Sequence, residues 1–248
     1  MKTYYKHNIG FWLFLAISIF IIVSCEDDDS NPTQPTKNTI KIAVLSDLHF
    51  YDLALGTNSA ALDTYLLKDR KLLRESNAII QSAINSIIAQ SPDVVVVCGD
   101  MTKDGEKTSH QKLIPYLQQF TNAGIKVVVV PGNHDINNPE AMSFLGSTPT
   151  PVSTISYAEF KSMYNNFGFS SAISSDANSL SYVCEPYPGV RFICIDPTKS
   201  ANNTNTEIIS GEIKAGTLSW IKEQLAAAKA AGKQVFGVMH HGMTEHYT

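Results

Sequence analysis

Three short apolar runs, each cut off by glycine, aspartate or histidine, constrain this chain more than any other feature of its 248 residues. Residues 127–130 are all valine, which reads as a buried strand, and they run straight into Pro131-Gly132-Asn133-His134-Asp135. An amide, an imidazole and a carboxylate in succession make a poor turn and a good ligand set. Residues 42–45 run likewise into Asp47-Leu48-His49, and residues 94–97 into Gly99-Asp100. A helical apolar face over about 69–90 (Leu72, Leu73, Ile79, Ile80, Ala83, Ile84, Ile87, Ile88) separates the first two runs. A second helix near 107–122, interrupted or begun late by Pro115 and closed by Gly124, precedes the third. The order β-α-β-α-β predicts three buried parallel strands with right-handed crossovers, and open α/β sheets place their chemistry at such strand ends.

Beyond the third strand the spacing predicts a helix over 157–167, paired strands over 180–185 and 190–196, and a helix over 217–231. A last strand over 234–239 ends in His240-His241. Residues 52–64, 137–156 and 199–206 read as loops, the first two long enough to form a rim that sets substrate access. Cys98, Cys184 and Cys194 lie in apolar strands in odd number and read as free thiols; the turn at Pro186-Tyr187-Pro188-Gly189 does not set the last two opposite each other. Asp196-Pro197 reads as a turn, and His110 and His246 as surface or loop histidines.

The N-terminus carries a different message. Lys2 and Lys6 precede an apolar run over 9–23, too short for a membrane span and suited to a secretory signal or an uncleaved anchor. It closes on Ile22-Val23-Ser24-Cys25, which resembles the lipobox of bacterial lipoproteins, so residues 1–24 read as a signal peptide and Cys25 as the lipidated residue. The acidic and Pro/Thr-rich residues 25–38 cannot build a core and form a tether, leaving 39–248 as the folded domain. The expectation is an exported lipoprotein, anchored on the periplasmic face or the cell surface. Without Lys2 and Lys6 the chain has 17 basic against 23 acidic residues, a net charge of −6 with no basic cluster, which argues against bulk nucleic-acid binding.

The clustered side chains suit metal ions. In Asp47-x-His49 the spacing of two puts both on one side of an extended segment, Asp100 has two oxygens to bridge two ions, Asn133 offers a neutral carbonyl, and His240 adds an imidazole. Two ions about 3.5–4 Å apart suit in-line attack of a metal-bound hydroxide at phosphorus. His134 is placed to protonate a leaving group, with Asp135 to orient its ring.

Taken in order, Asp47-Leu48-His49, Gly99-Asp100, Gly132-Asn133-His134-Asp135 and Val238-Met239-His240 resemble the calcineurin-like metallophosphoesterase family over about 40–241. The resemblance implies a four-layer α-β-β-α sandwich of two mixed sheets and a dinuclear site of manganese, iron or zinc. Asp47 and His49 would hold one metal, Asp100 would bridge, Asn133 and His240 would hold the other, and His134 would act on the leaving group. The substrate would be a small phosphomonoester or phosphodiester. Two departures stand out. The family's final Gly-His-x-His motif has no match, so the sequence is expected to be C-terminally truncated or a degenerate homologue, and Lys103 stands where many members carry Asp or Asn. A surface lipoprotein that keeps the fold only to bind is the alternative from another class.

Overall fold

The computed structural model describes residues 39–244. The signal peptide, Cys25, the 25–38 tether and His246 lie outside the described residues. Strands β1 (Ile42–Leu45), β2 (Val94–Cys98) and β3 (Lys126–Val130) form a parallel sheet in the order β1-β2-β3, in register Ile42 to Val94 to Lys126. β2 and β3 are buried through their valines, each worth about 1.5–3 kcal/mol of hydrophobic stabilisation. The first strand departs from expectation: β1 is an edge strand, and Val44 is 64% exposed.

Helices α2 (Ser76–Ala89) and α3 (Lys107–Asn122) are the crossovers. The first begins later than its apolar pattern implies. Asp69 accepts from the Lys71 N–H at 2.8 Å and from the Tyr65 hydroxyl, which makes a turn, and Leu72 at ψ 63° blocks helical continuation. Only Ile80 and Ile84 of that apolar face are fully buried within the helix, and Leu72 points to solvent. Pro115 does not interrupt α3. It lies on the exposed face, as does Gln111, whose carbonyl loses its helical partner, so water can satisfy it. His110, Leu113, Leu117 and Phe120 line the buried face, and His110 is therefore fully buried instead of a surface histidine.

The 52–64 segment is more ordered than a loop. Ser59 caps α1 (Ala60–Leu66) by accepting from the Leu62 N–H at 3.1 Å, and Leu62 packs with Tyr51, Leu55, Leu73 and Phe144 in a small satellite core. Within 137–156, β4 (Met142–Ser143) and β5 (Thr150–Pro151) make a short antiparallel pair. Helix α4 (Tyr157–Met163) starts at a Ser156/Glu159 capping box.

The second sheet runs β6 (Ala172–Ser175), β7 (Tyr182–Tyr187), β8 (Val190–Ile195), β9 (Gln234–Met239) in that order. β6–β8 are antiparallel and β9 is parallel to β8. β6, an Ala-Ile-Ser-Ser stretch, has too little apolar alternation to be read from sequence. Cys184 pairs with Phe192 and Tyr182 with Cys194, so the two cysteines are diagonal neighbours and both are free. The sheets face each other across one core holding the valines of β2 and β3 with Tyr182, Cys184, Phe192, Cys194 and Val238. The Tyr182 hydroxyl donates to the Val129 carbonyl at 2.8 Å and ties the sheets together. Helices α2 and α3 cover the first sheet, and α5 (Ala215–Ala230) packs on β8 and β9 of the second, which gives the four layers α-β-β-α. Only the second sheet is mixed; the first is wholly parallel among the described residues.

Candidate metal centre

The carboxyl ends of β1, β2, β3 and β9 meet at one edge, and the backbone is bent to bring them there. Asp47, His49 and Asp100 hold φ values of 55°, 40° and 48°, a left-handed conformation that costs non-glycine residues on the order of 1–3 kcal/mol each. Hydrogen bonds hold this course, from the Asp47 N–H to the Gly99 carbonyl at 3.2 Å and from the His49 N–H to the Asp100 carbonyl at 2.9 Å. The glycines are required by contact. A Cβ on Gly99 would press on the His240 ring, and one on Gly132 would overlap the Asp100 carboxylate.

Asp100 is the hub. Its Oδ2 lies 3.2 Å from His240 Nε2 and 3.9 Å from both His49 Nε2 and His134 Nε2, while its Oδ1 accepts from the His134 N–H at 3.0 Å. His240 Nδ1 donates to the Cys98 carbonyl at 2.8 Å; a carbonyl only accepts, so the proton sits on Nδ1 and Nε2 is the atom turned to Asp100. Asp47 Oδ1 stands 4.0 Å from His49 Nε2. His49, Asp100 and His134 form one set with metal-ligand spacing, and Asp47, Asp100 and His240 another, with Asp100 common to both.

These residues fit metal ions. Atoms bound to one ion at about 2.0–2.2 Å lie roughly 3–4 Å from each other, which is the spacing of the atoms around Asp100. His49 is the clearest case. Its Nδ1 is buried without a partner among the described residues, and its Nε2 faces two carboxylates beyond hydrogen-bond reach. Burial, with His134 beside it, pushes its pKa down, so the ring is neutral at pH 7 with its lone pair available. Burial also depresses His240, but its hydrogen bond and charge attraction to Asp100 win and raise it to about 9. A proton thus occupies the place where a cation would bind.

His134 belongs to a second cluster. Its Nδ1 donates to Asp104 Oδ1 at 2.9 Å and lies 3.4 Å from Glu207 Oε2. Burial lowers its pKa, while the bond to Asp104 and the charges of Asp100 and Glu207 lift it to about 9. Behind it the fully buried Lys103 pairs with Asp104, lies 3.9 Å from Glu106, and stands over the Tyr65 and Phe144 rings at 4.5 and 5.3 Å. Asp104, His134 and Glu207 also have metal-like spacing, but beside this cluster the Lys103 ammonium already supplies a cation.

The structure therefore brings Asp47, His49, Asp100, Asn133, His134 and His240 to one edge. Asp135 does something other than expected. It is fully buried and accepts from the Gly132 N–H at 2.9 Å and from the Thr102 N–H and hydroxyl at 3.0 and 3.1 Å, so it braces two strand ends while Asp104 orients the His134 ring. Sequence reading missed Asp104 and Glu207. Asp104 had a weak signal, an acid four residues after Asp100; Glu207, in a polar loop 74 positions after Asn133, had none.

A family model for calcineurin-like phosphoesterases matches residues 40–248. Among solved structures, a dimetal phosphatase from Danio rerio resembles the fold with a TM-score of 0.57 at 15% identity, over 83% of this chain and 70% of that chain. Curated proteins give no match. The strand-end motifs, the four layers and the family match agree: the chain belongs to the calcineurin-like phosphoesterase family, whose members are metal-dependent hydrolases.

Proposed function

We propose that this chain hydrolyses small phosphomonoesters or phosphodiesters at a dinuclear metal site. The observation that carries this reading is the convergence of Asp47, His49, Asp100 and His240 at ligand spacing, beside a histidine whose reactive nitrogen faces the same carboxylate. Asp47 and His49 would hold one ion and Asn133 and His240 the other, with Asp100 between them. Two such ions, of manganese, iron or zinc, acidify a water and offset the charge on the phosphoryl oxygens. The chain's own residues do the rest. Asp104 fixes the proton on His134 Nδ1, which leaves Nε2 to hold a proton at the leaving-group oxygen. The buried Asp135 holds the Gly132 and Thr102 backbones, and so fixes the turn from which the His134 N–H reaches Asp100. The α1 segment and the β4 region, which reach Lys103 behind His134 through Tyr65 and Phe144, would set substrate choice.

Purified protein with manganese should hydrolyse p-nitrophenyl phosphate or bis(p-nitrophenyl) phosphate, and chelation should abolish it. Metal binding without turnover of any phosphate ester would leave a non-catalytic binding module instead. The signal-like residues 1–24 and the lipobox-like Ile22-Val23-Ser24-Cys25 support export and lipid anchoring at Cys25. Cys25→Ser should then move the protein from the membrane fraction to the soluble fraction in a Gram-negative host; unchanged fractionation would sink the anchor.

A further inference from the structure

The loop between β8 and α5 buries the wrong kind of residue for packing. Residues 204–206 and 209–214 are exposed, including Ile209 at 65%. The side chain of Glu207, by contrast, is only 4% exposed. Turning an isoleucine to water while burying a carboxylate reverses what the hydrophobic effect selects, so the carboxylate needs polar partners that outweigh its desolvation. Besides the Asn138 side chain, two of its partners belong to the site. Glu207 Oε1 accepts from the Asn133 side-chain amide, and Oε2 lies 3.4 Å from His134 Nδ1.

The loop is also pinned so that Glu207 arrives there. The Asn203 amide donates to the Asn137 carbonyl at 3.3 Å, the Ile208 N–H donates to Asn203 Oδ1 at 2.9 Å, and the Glu212 N–H donates to the Pro197 carbonyl at 2.7 Å. His241, next to the ligand His240, donates from Nε2 to the Ile209 carbonyl at 3.0 Å. The loop is thereby tied to the segments following β3, β8 and β9.

We propose that Glu207 is a positioning residue that presents Asn133 to a metal ion, a role that rests on the dinuclear reading above. An amide has one end that donates and one that binds cations, and a neutral partner accepts either orientation. A carboxylate accepts only. Glu207 therefore takes the Asn133 Nδ2 end and leaves Oδ1, the sole cation-binding atom of that side chain, directed away from it. The same carboxylate stands 3.4 Å from His134 Nδ1, whose proton goes to Asp104, so one loop residue touches a metal ligand and the neighbouring acid together.

The test uses the full-length chain and Glu207→Gln, which keeps the shape but lets the Asn133 amide turn over, with Ile209→Ser as a control on the loop. Manganese binding is followed by calorimetry, and kcat/KM for bis(p-nitrophenyl) phosphate is measured against manganese concentration. We expect one of the two manganese sites in Glu207→Gln to weaken by about 10–100-fold, the usual effect of removing a ligand's hydrogen-bond partner. Excess manganese should restore most of the activity, and Ile209→Ser should behave as wild type. Wild-type manganese affinity in Glu207→Gln overturns the assignment, whether or not activity falls, and so does a loss that excess manganese does not restore. A wild-type protein that binds none of manganese, iron or zinc overturns the dinuclear reading and this role with it.

Discussion

The two halves of the site are built from the same residue types and do opposite things with them. Around Asp100, carboxylates and imidazoles stand 3.2–4.0 Å apart, and among the described residues His49 Nδ1 has no hydrogen-bond partner. Around Asp104, a hydrogen bond joins the carboxylate to the His134 imidazole, Glu207 stands 3.4 Å from the same nitrogen, and the Lys103 ammonium lies behind them. Spacing alone would mark both clusters as places for an ion. The difference is that one already has its positive charge in covalent form. Buried carboxylates need a cation in either case. Where the chain supplies lysine, the acids become a rigid mount for His134; where it supplies none, they remain open to metal.

Removing His134 separates the halves most sharply. His134→Ala should lower kcat by about 10²–10⁴-fold, the usual contribution of general acid catalysis, while leaving metal content unchanged. The loss should be greater for alkyl phosphates than for p-nitrophenyl phosphate, whose leaving group needs no proton. An equal loss on both substrates, or a loss of metal, would place His134 with the Asp100 half instead. The next effect is on stability. Lys103→Met removes the internal cation and leaves Asp104 and Glu106 buried beside each other, and breaking such a pair costs about 3–5 kcal/mol. Denaturant unfolding would measure it. A change under about 1 kcal/mol would show that the rings of Tyr65 and Phe144, and not the charge, hold that corner.

The comparison also explains what the sequence could reveal. The metal half was legible because each ligand follows an apolar run with strand character, and its glycines are fixed by contacts that only glycine allows. Asp47, His49, Asp100, Asn133 and His240 all sit within four residues of the end of β1, β2, β3 or β9. The other half depends on contacts between segments with no period. Lys103 stands out in the sequence only as a departure from the family pattern, because its partners include two aromatic rings from α1 and the β4 region, and nothing local announces them. His110 did have a signal: it falls at helical spacing with Leu113, Leu117 and Phe120. Its polarity hid that, and its bonds to the Tyr164 hydroxyl at 2.7 Å and the Asp135 carbonyl at 2.8 Å come from distant segments.

The smallest expected effect probes the charge balance inside the Asp104 half. Burial pushes the Glu106 carboxyl up to about 7 from an ordinary 4.5, with Lys103 pulling it down and Asp104 pushing it up. The folded protein thus holds a proton there that the unfolded chain releases between about pH 4.5 and 7, and unfolding free energy must fall with rising pH across that window. The contribution is complete below pH 4.5 and gone above about pH 7. His110 acts in the opposite sense. Burial lowers its pKa to about 4, so its contribution is complete above pH 6.5 and is lost as pH falls towards 4. The Glu106 and His110 slopes largely cancel each other between pH 4.5 and 6.5, and Asp135, raised to about 6 by burial, adds a falling slope of its own there. Glu106→Gln removes the Glu106 slope only. Its stability relative to wild type should therefore rise with pH by on the order of 1–3 kcal/mol between pH 4.5 and 7. Thermal melts of both proteins across that range would measure it, and parallel curves would mean that Lys103 keeps Glu106 ionised throughout, so that the internal cation neutralises two carboxylates and not one.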